Sequence, residues 1–214
     1  VALEDVPQTL AGLSRAHVEN TLGVVSACLA LGFSPDEIAR GLADFTPEQH
    51  VPGRMAIWRW LWRTIVLDLA HNEAGLLSLL EICEGLRVPP ARLLVNLSIP
   101  GDRDHEAFRS IGELAGLHAD ELTWSKPTKY LRGADVAQLE EWLREGIAGT
   151  AIPLSHVAER ELDAMEYLME RSVAGDVIGF MCHEARDALK VWLREQGAHP
   201  ASHDEVRELV RSVA

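Results

Sequence analysis

TIVLDLAHNEAGLLSLLEICEGLRVPPARLLVNLSI, residues 64–99, is the stretch on which the fold turns. TIVLDLA (64–70) is β-rich and nearly all apolar, as a strand buried on both faces is. EAGLLSLLEICEGL (73–86) is helical, and RLLVNLSI (92–99) is a second apolar strand. The same alternation continues outward. GDRDHEAFRSIGELAGL (101–117), DVAQLEEWLREGI (135–147), 158–172, 184–196 and 202–213 read as helices. DELTWS (120–125) and GDVIGFMC (175–182) read as strands, and TAIPLS (150–155) as a weaker one that contains Pro153. Strands alternating with amphipathic helices predict an α/β fold: a Rossmann-like, mostly parallel sheet covered by helices on both faces.

Upstream the pattern differs. Residues 12–31 predict a helix capped by Ser14, with Val18, Leu22, Val25 and Leu29 on one face. A shorter helix follows, capped by Ser34 with Pro35 at its first position and Ile38, Leu42 and Phe45 inward. TPEQHVPG (46–53) reads as a linker and domain boundary. Between it and the sheet, Ile57 to Arg63 places three Trp at period two, a strand with an aromatic face.

The 214 residues carry 33 acidic and 20 basic side chains, a net charge of −13. A field of that sign argues against nucleic acid as a partner, while placed arginines can still hold a small anion. The three cysteines are far apart and form no C-x-x-C pair, which predicts free thiols rather than disulfides or structural zinc. With no signal peptide and no apolar run long enough to span a membrane, the expected setting is cytoplasmic. A first residue of Val rather than Met predicts that the chain is part of a larger gene product.

Ligands of such sheets bind at the carboxyl ends of strands. After the first parallel strand stand Asp68, His71 and Asn72, able to accept from a ribose hydroxyl, organise a cation or bond a ligand; alternatively Asn72 is only a helix cap and Asp68 only satisfies backbone donors. After the second stand Gly101, Asp102, Arg103 and Asp104: a tight turn, helix caps, and an arginine suited to a carboxylate or phosphate. Arg54 follows the hinge glycine Gly53 and can reach across a cleft, or is simply solvated. Cys182 and His183 end the last parallel strand on the same rim, and the acidic stretch 159–170 reads as a solvated helix face.

Three separated segments, HVENTLGVVSACLALG, PGRMAIW and VLDLAHNEAGL, resemble the Mur ligase superfamily in order and spacing. GDRDHEAFRSIGELAGLHADEL and YLRGAD look most like the ligase half of cyanophycin synthetases. The resemblance implies an ATP-dependent ligase that joins an amine to a carboxylate through an acyl phosphate. By it, residues 1–47 are the helical tail of the central ATPase domain and 48–214 the C-terminal Rossmann-like domain. It also implies that Asn20 (with His17 one turn before it), Arg54, Asp68, His71 and Asn72 surround ATP. Asp102, Arg103 and Asp104 lie where the incoming amino substrate is held, with Arg132 a further candidate. Magnesium is expected mainly on the central domain, because neither that domain's phosphate-binding loop nor its magnesium ligands occur in this sequence; the chain alone is expected to be inactive. The motif's Tyr and Pro are here Leu69 and Glu73, and SKPTKYLRG (125–133) is only partly preserved. These departures leave open a non-catalytic binding or assembly module with the same fold. A dinucleotide-dependent oxidoreductase ranks behind both, for want of a glycine fingerprint after any strand.

Overall fold

The computed structural model describes residues 2–51 and 53–213, with the side chains of residues 48 and 49 left aside. Pro52, part of the predicted linker, lies outside the described residues. Two 3-10 turns, Leu3–Asp5 and Pro7–Thr9, precede α1 (Arg15–Ala30), α2 (Pro35–Asp44) and the single turn α3 (Pro47–His50). Then come β1 (Ala56–Trp60), β2 (Arg63–Asp68), α4 (Glu73–Gly85), β3 (Leu93–Ser98), α5 (His105–His118) and β4 (Glu121–Ser125). The chain ends with α6 (Val136–Ile147), β5 (Leu154–Ala158), α7 (Glu161–Arg171), β6 (Val177–Met181), α8 (Arg186–Glu195), β7 (His199–Pro200) and α9 (His203–Val213).

Among the described residues the strands form one sheet in the order β5-β4-β3-β6-β2-β1-β7. From β2 to β5 the pairings are parallel; β1 pairs antiparallel with both β2 and β7. The parallel strands alternate their side chains between two cores. Val66 of β2 and Val95 of β3 pack under α4, α5 and α6 with Leu79, Phe108 and Leu143. Ile65, Leu67, Ile178 and Phe180 point the other way, onto Met165, Leu168, Leu189 and Leu193 of α7 and α8. Burial on both faces is why these strands read as unbroken apolar runs.

The connections create a switch point. From β2 the chain crosses to β3 through α4 and steps outward to β4 and β5 through α5 and α6. It then returns on the opposite face through α7 to place β6 between β2 and β3. The helices after β2 and β3 share one face, and the helix after β6 lies on the other. The loops after these three strands therefore splay apart at their carboxyl ends and leave a crevice there.

Three expectations need correction. The aromatic segment is a hairpin rather than one strand: Leu61 and Trp62 both have positive φ, 43° and 67°, as the two-residue turn of an antiparallel pair demands. Trp58 is therefore buried in the core while Trp62, at the tip, is 82% exposed. β5 starts after Pro153 instead of containing it, since proline cannot donate to the ladder. The linker is not wholly irregular, because Pro47–His50 makes one helical turn.

The caps of α1 and α2 form as expected, with Ser34 and Glu37 in a reciprocal capping box. Their predicted apolar faces are only partly buried, however. Leu22 and Leu29 are 56% and 51% exposed, and Thr21 is the one buried residue of α1 among those described. The stripe is present but only partly covered among the described residues, Val18, Val25, Ile38, Leu42 and Phe45 being half-buried. The turns before α1 behave differently, since Leu10 joins the core of the sheet domain beside Met55 and Val206.

Candidate functional site

The crevice is built from the three loops that follow β2, β3 and β6. Asp68, the last residue of β2, is 2% exposed, and its Oδ2 accepts from the Met55 N–H at 2.8 Å. Burial raises its carboxyl above the usual range, against the pull of that hydrogen bond and of the nearby Arg54 charge. Arg54 itself is exposed. Gly53, before it, has φ +84° and sits against the Arg186 side chain, which a Cβ there would displace. The Arg186 side chain could shift to make room, but the positive φ favours glycine, so Arg54 is delivered to the rim by a backbone conformation other residues resist.

Arg54 also faces α1. His17 bonds Ser14 Oγ through Nδ1 at 2.8 Å, and burial first, then the Arg54 charge, lowers its pKa. Thus the Arg54 charge acts on both His17 and Asp68. Asn20 is exposed on α1, and no hydrogen bond joins it to Arg54 or Asp68 among the described residues. Asn72 caps α4, accepting from Gly75 N–H at 2.8 Å, and exposed Glu73 sits in the first turn, where the helix dipole favours an acid. His71 Nδ1 lies 3.1 Å from the Leu69 carbonyl, and its ring is edge-on to His183 at 6.3 Å between centroids.

After β3, Gly101 N–H donates to the Tyr130 carbonyl at 2.9 Å, so the turn rests on segment 130–132. Asp102 forms an ion pair with Arg132 and lies 3.9 Å from Arg103 Nε. Two candidates far apart in sequence are thereby joined. Asp104 caps α5 through Oδ1, which accepts from Ala107 N–H at 2.9 Å. A fully buried amide network pins these strand ends together: Asn96 Nδ2 donates to Ser125 Oγ at 3.1 Å and to the Met181 carbonyl at 3.3 Å.

Two carboxylates that meet at the loop after β6 were passed over: Glu184, within that loop, and Glu161, the first residue of α7. Glu161, within the stretch read as a solvated face, is 3% exposed and accepts from the backbone N–H groups of His183, Glu184 and Ala185. Its signal was available: it falls on the same helix face as Ala164, Met165 and Leu168, an acid on an apolar stripe. Glu184 accepts from the N–H groups of Thr128, Lys129 and Tyr130. Burial alone would push its carboxyl up, but these bonds outweigh it and hold the group below its ordinary range. Nothing in local periodicity marks Glu184, because its partners are some 55 residues away. Leu69, Lys129, Tyr130, His183, Glu184 and Arg186 line an open cleft of about 520 Å³.

His183 Nε2 lies 2.6 Å from the Ala70 carbonyl, and burial, above all, lowers its pKa despite that bond. A histidine held neutral in the fold contributes stability above its unfolded pKa, about 6.5, and loses it as pH falls through the folded value. Urea midpoints are therefore expected to drop between pH 7.5 and 5.5, with a shallower slope for His183→Gln. An equal slope in both proteins would exclude His183 as a source of the acid sensitivity.

This site is a strand-end crevice at the switch point of a doubly wound sheet, with an acid, an arginine and two histidines on one side and an arginine–carboxylate pair on the other. Over most of its length the chain is similar to the Mur ligase superfamily, and its fold is the Rossmann-like fold of that family's carboxyl-terminal domain. No family model matches it. The UDP-N-acetylmuramoyl-L-alanyl-D-glutamate–2,6-diaminopimelate ligase of Geobacillus kaustophilus is 29% identical over 163 residues, 76% of this chain and 32% of that protein. The cyanophycin synthetase of Geminocystis herdmanii is 27% identical over 145 residues, 67% of this chain and 16% of that protein. Among solved structures, E. coli FolC in complex with ADP superposes with a TM-score of 0.61 at 20% identity, covering 83% of this chain and 40% of the other. The chain thus spans about a third or less of the length of these curated relatives. Among the described residues no helix is long and apolar enough to cross a membrane.

Proposed function

We propose that this chain is the carboxyl-terminal part of an ATP-dependent ligase that joins an amino acid or peptide amine to a carboxylate. The observation that carries the reading is the placement of Arg54, just after the Gly53 hinge, where its charge reaches buried Asp68. An acid and a guanidinium so placed suit a nucleotide. A ribose hydroxyl donates to the carboxylate, and phosphate oxygens accept from the arginine in a fork. Asn20, His71 and Asn72 belong to the same side of the site, with Asn72 also serving as cap. Asp102, Arg103, Asp104 and Arg132 form the side that receives the amino substrate.

On this reading residues 1–47 belong to a central ATPase domain and 48–214 to the carboxyl-terminal one. The partly uncovered apolar face of α1, with Leu22 and Leu29 exposed, supports a partner surface supplied by the rest of that central domain. The phosphate loop and the magnesium ligands come from there too. The acceptor carboxylate takes the γ-phosphoryl group of ATP. The amine then attacks the acyl carbon, an amide forms, and phosphate leaves as the nitrogen gives up its proton. The part of this chain's residues is positioning and charge neutralisation.

The test is phosphate release from ATP by the full-length protein, with a panel of amino acids and short peptides as amines. Release stimulated by one class of amine is expected. Absence of stimulation across the panel would discard the ligase and favour the binding or assembly module, for which the Leu69 and Glu73 departures already speak.

A further inference from the structure

The carboxylate of Glu161 receives more donors than any role in helix packing requires. Oε1 accepts from His183 N–H at 2.5 Å and Ser98 Oγ at 2.9 Å, and Oε2 from Ala185 N–H at 2.7 Å and the Cys182 thiol at 3.3 Å. Glu184 N–H is shared between the two oxygens, at 3.1 and 3.0 Å. The thiol stays protonated and able to donate, because burial, then the Glu161 charge, pushes its pKa up. Three successive amides before a helix make a cradle for an anion, and here the protein's own side chain fills it.

What the cradle holds in place matters more than the cradle. With its backbone fixed by Glu161, Glu184 extends its carboxylate to the amides of residues 128–130, while Lys129 Nζ donates back to the Glu184 carbonyl at 2.9 Å. The Tyr130 carbonyl in turn takes Gly101 N–H, and Arg132 pairs with Asp102. One buried carboxylate thereby ties the ends of β3 and β6 to segment 128–132. We propose that Glu161 is a positioning residue for the amine side of the site, acting through Glu184 to set the 128–132 segment against the turn at Gly101. The inference rests on the ligase reading above. The side chains of Asp68 and Arg54, on the nucleotide side, make no hydrogen bond with Glu161 or Glu184 among the described residues; β2 meets the cradle through its backbone, where Cys182 N–H donates to the Asp68 carbonyl at 2.8 Å.

Glu161→Gln tests it in the full-length protein. An amide keeps one acceptor oxygen and turns an NH₂ toward N–H groups, so part of the cradle is left unmatched. The KM for the amine is expected to rise about tenfold or more while the KM for ATP stays within about twofold. Amides of 128–130 and 183–185 should exchange about tenfold faster, with those of β2 unchanged. An unchanged amine KM, or equal rises in both KM values, overturns the proposal. If Glu161→Gln does not fold, Ser98→Ala removes a single donor and should shift the same constants in the same direction by a smaller factor. If the wild type turns over no amine, the ligase reading fails by itself, and exchange alone decides the relay: faster exchange at 128–130 supports it, and an effect confined to 183–185 overturns it.

Discussion

Arg54→Ala lowers ATP turnover by the full-length protein by about 10²–10³ in kcat/KM, the loss typical of removing a placed donor from developing phosphoryl charge. The side chain is exposed and contributes little to packing, so stability should stay within about 0.5 kcal/mol of the wild type. Asp68→Asn is the companion variant. The asparagine oxygen can still accept from Met55 N–H, and ionisation of Asp68 against its burial no longer has to be sustained. Its melting temperature should therefore equal or exceed that of the wild type while turnover falls. Loss of activity together with loss of stability in both variants would mark the pair as structural. Unchanged turnover in both would remove them from the nucleotide site. Steady-state kinetics and thermal melts separate these outcomes.

Gly101→Val damages the other side of the crevice through the backbone. Even a Cβ at this position falls within 3.0 Å of main-chain atoms of Leu131, which cannot rotate away as a side-chain tip can. Either the turn after β3 or segment 130–132 must move, parting the Gly101–Tyr130 hydrogen bond and the Asp102–Arg132 ion pair. Overpacking of this kind costs about 1–3 kcal/mol. For a chain of this size that is a fall of about 3–10 °C in melting temperature. The amine KM should rise with it, and the ATP KM should not. A valine variant with wild-type melting and an unmoved amine KM would show that the contact between these loops is unimportant.

Much of the fold was legible because strand and helix periods are local. The run from Thr64 to Ile99 predicts β2, α4 and β3 to within two residues or so, Ser14 and Ser34 cap the helices they were expected to cap, and Asn72 takes the capping role that the sequence left as one of two alternatives. The hairpin at Leu61 and Trp62 was not legible. Its turn lacks the Gly or Asn that usually announces positive φ, so the three Trp at period two looked like one strand. The faces of α1 and α2 have the expected spacing but are only half-buried, with Leu22 and Leu29 of α1 exposed. Periodicity reports which side is apolar and cannot say whether a partner is in place.

The candidate site divides along the same line. Asp68, His71, Asn72 and the turn from Gly101 to Asp104 could be picked out from sequence because each directly follows a strand of recognisable composition, and strand ends are where such sheets bind. Their grouping depended on the order of the strands, with β6 returning between β2 and β3, and no local pattern carries that order. It is this return that brings His183 to Ala70, Glu184 to Thr128 and Glu161 beneath both, through contacts spanning from about 20 to more than 110 residues of chain. The sequence by itself determined the elements, their caps and the family likeness, since these rest on short-range spacing. The tertiary structure alone decided which charges meet, because a buried carboxylate is satisfied by whatever donors the chain crossovers bring to it.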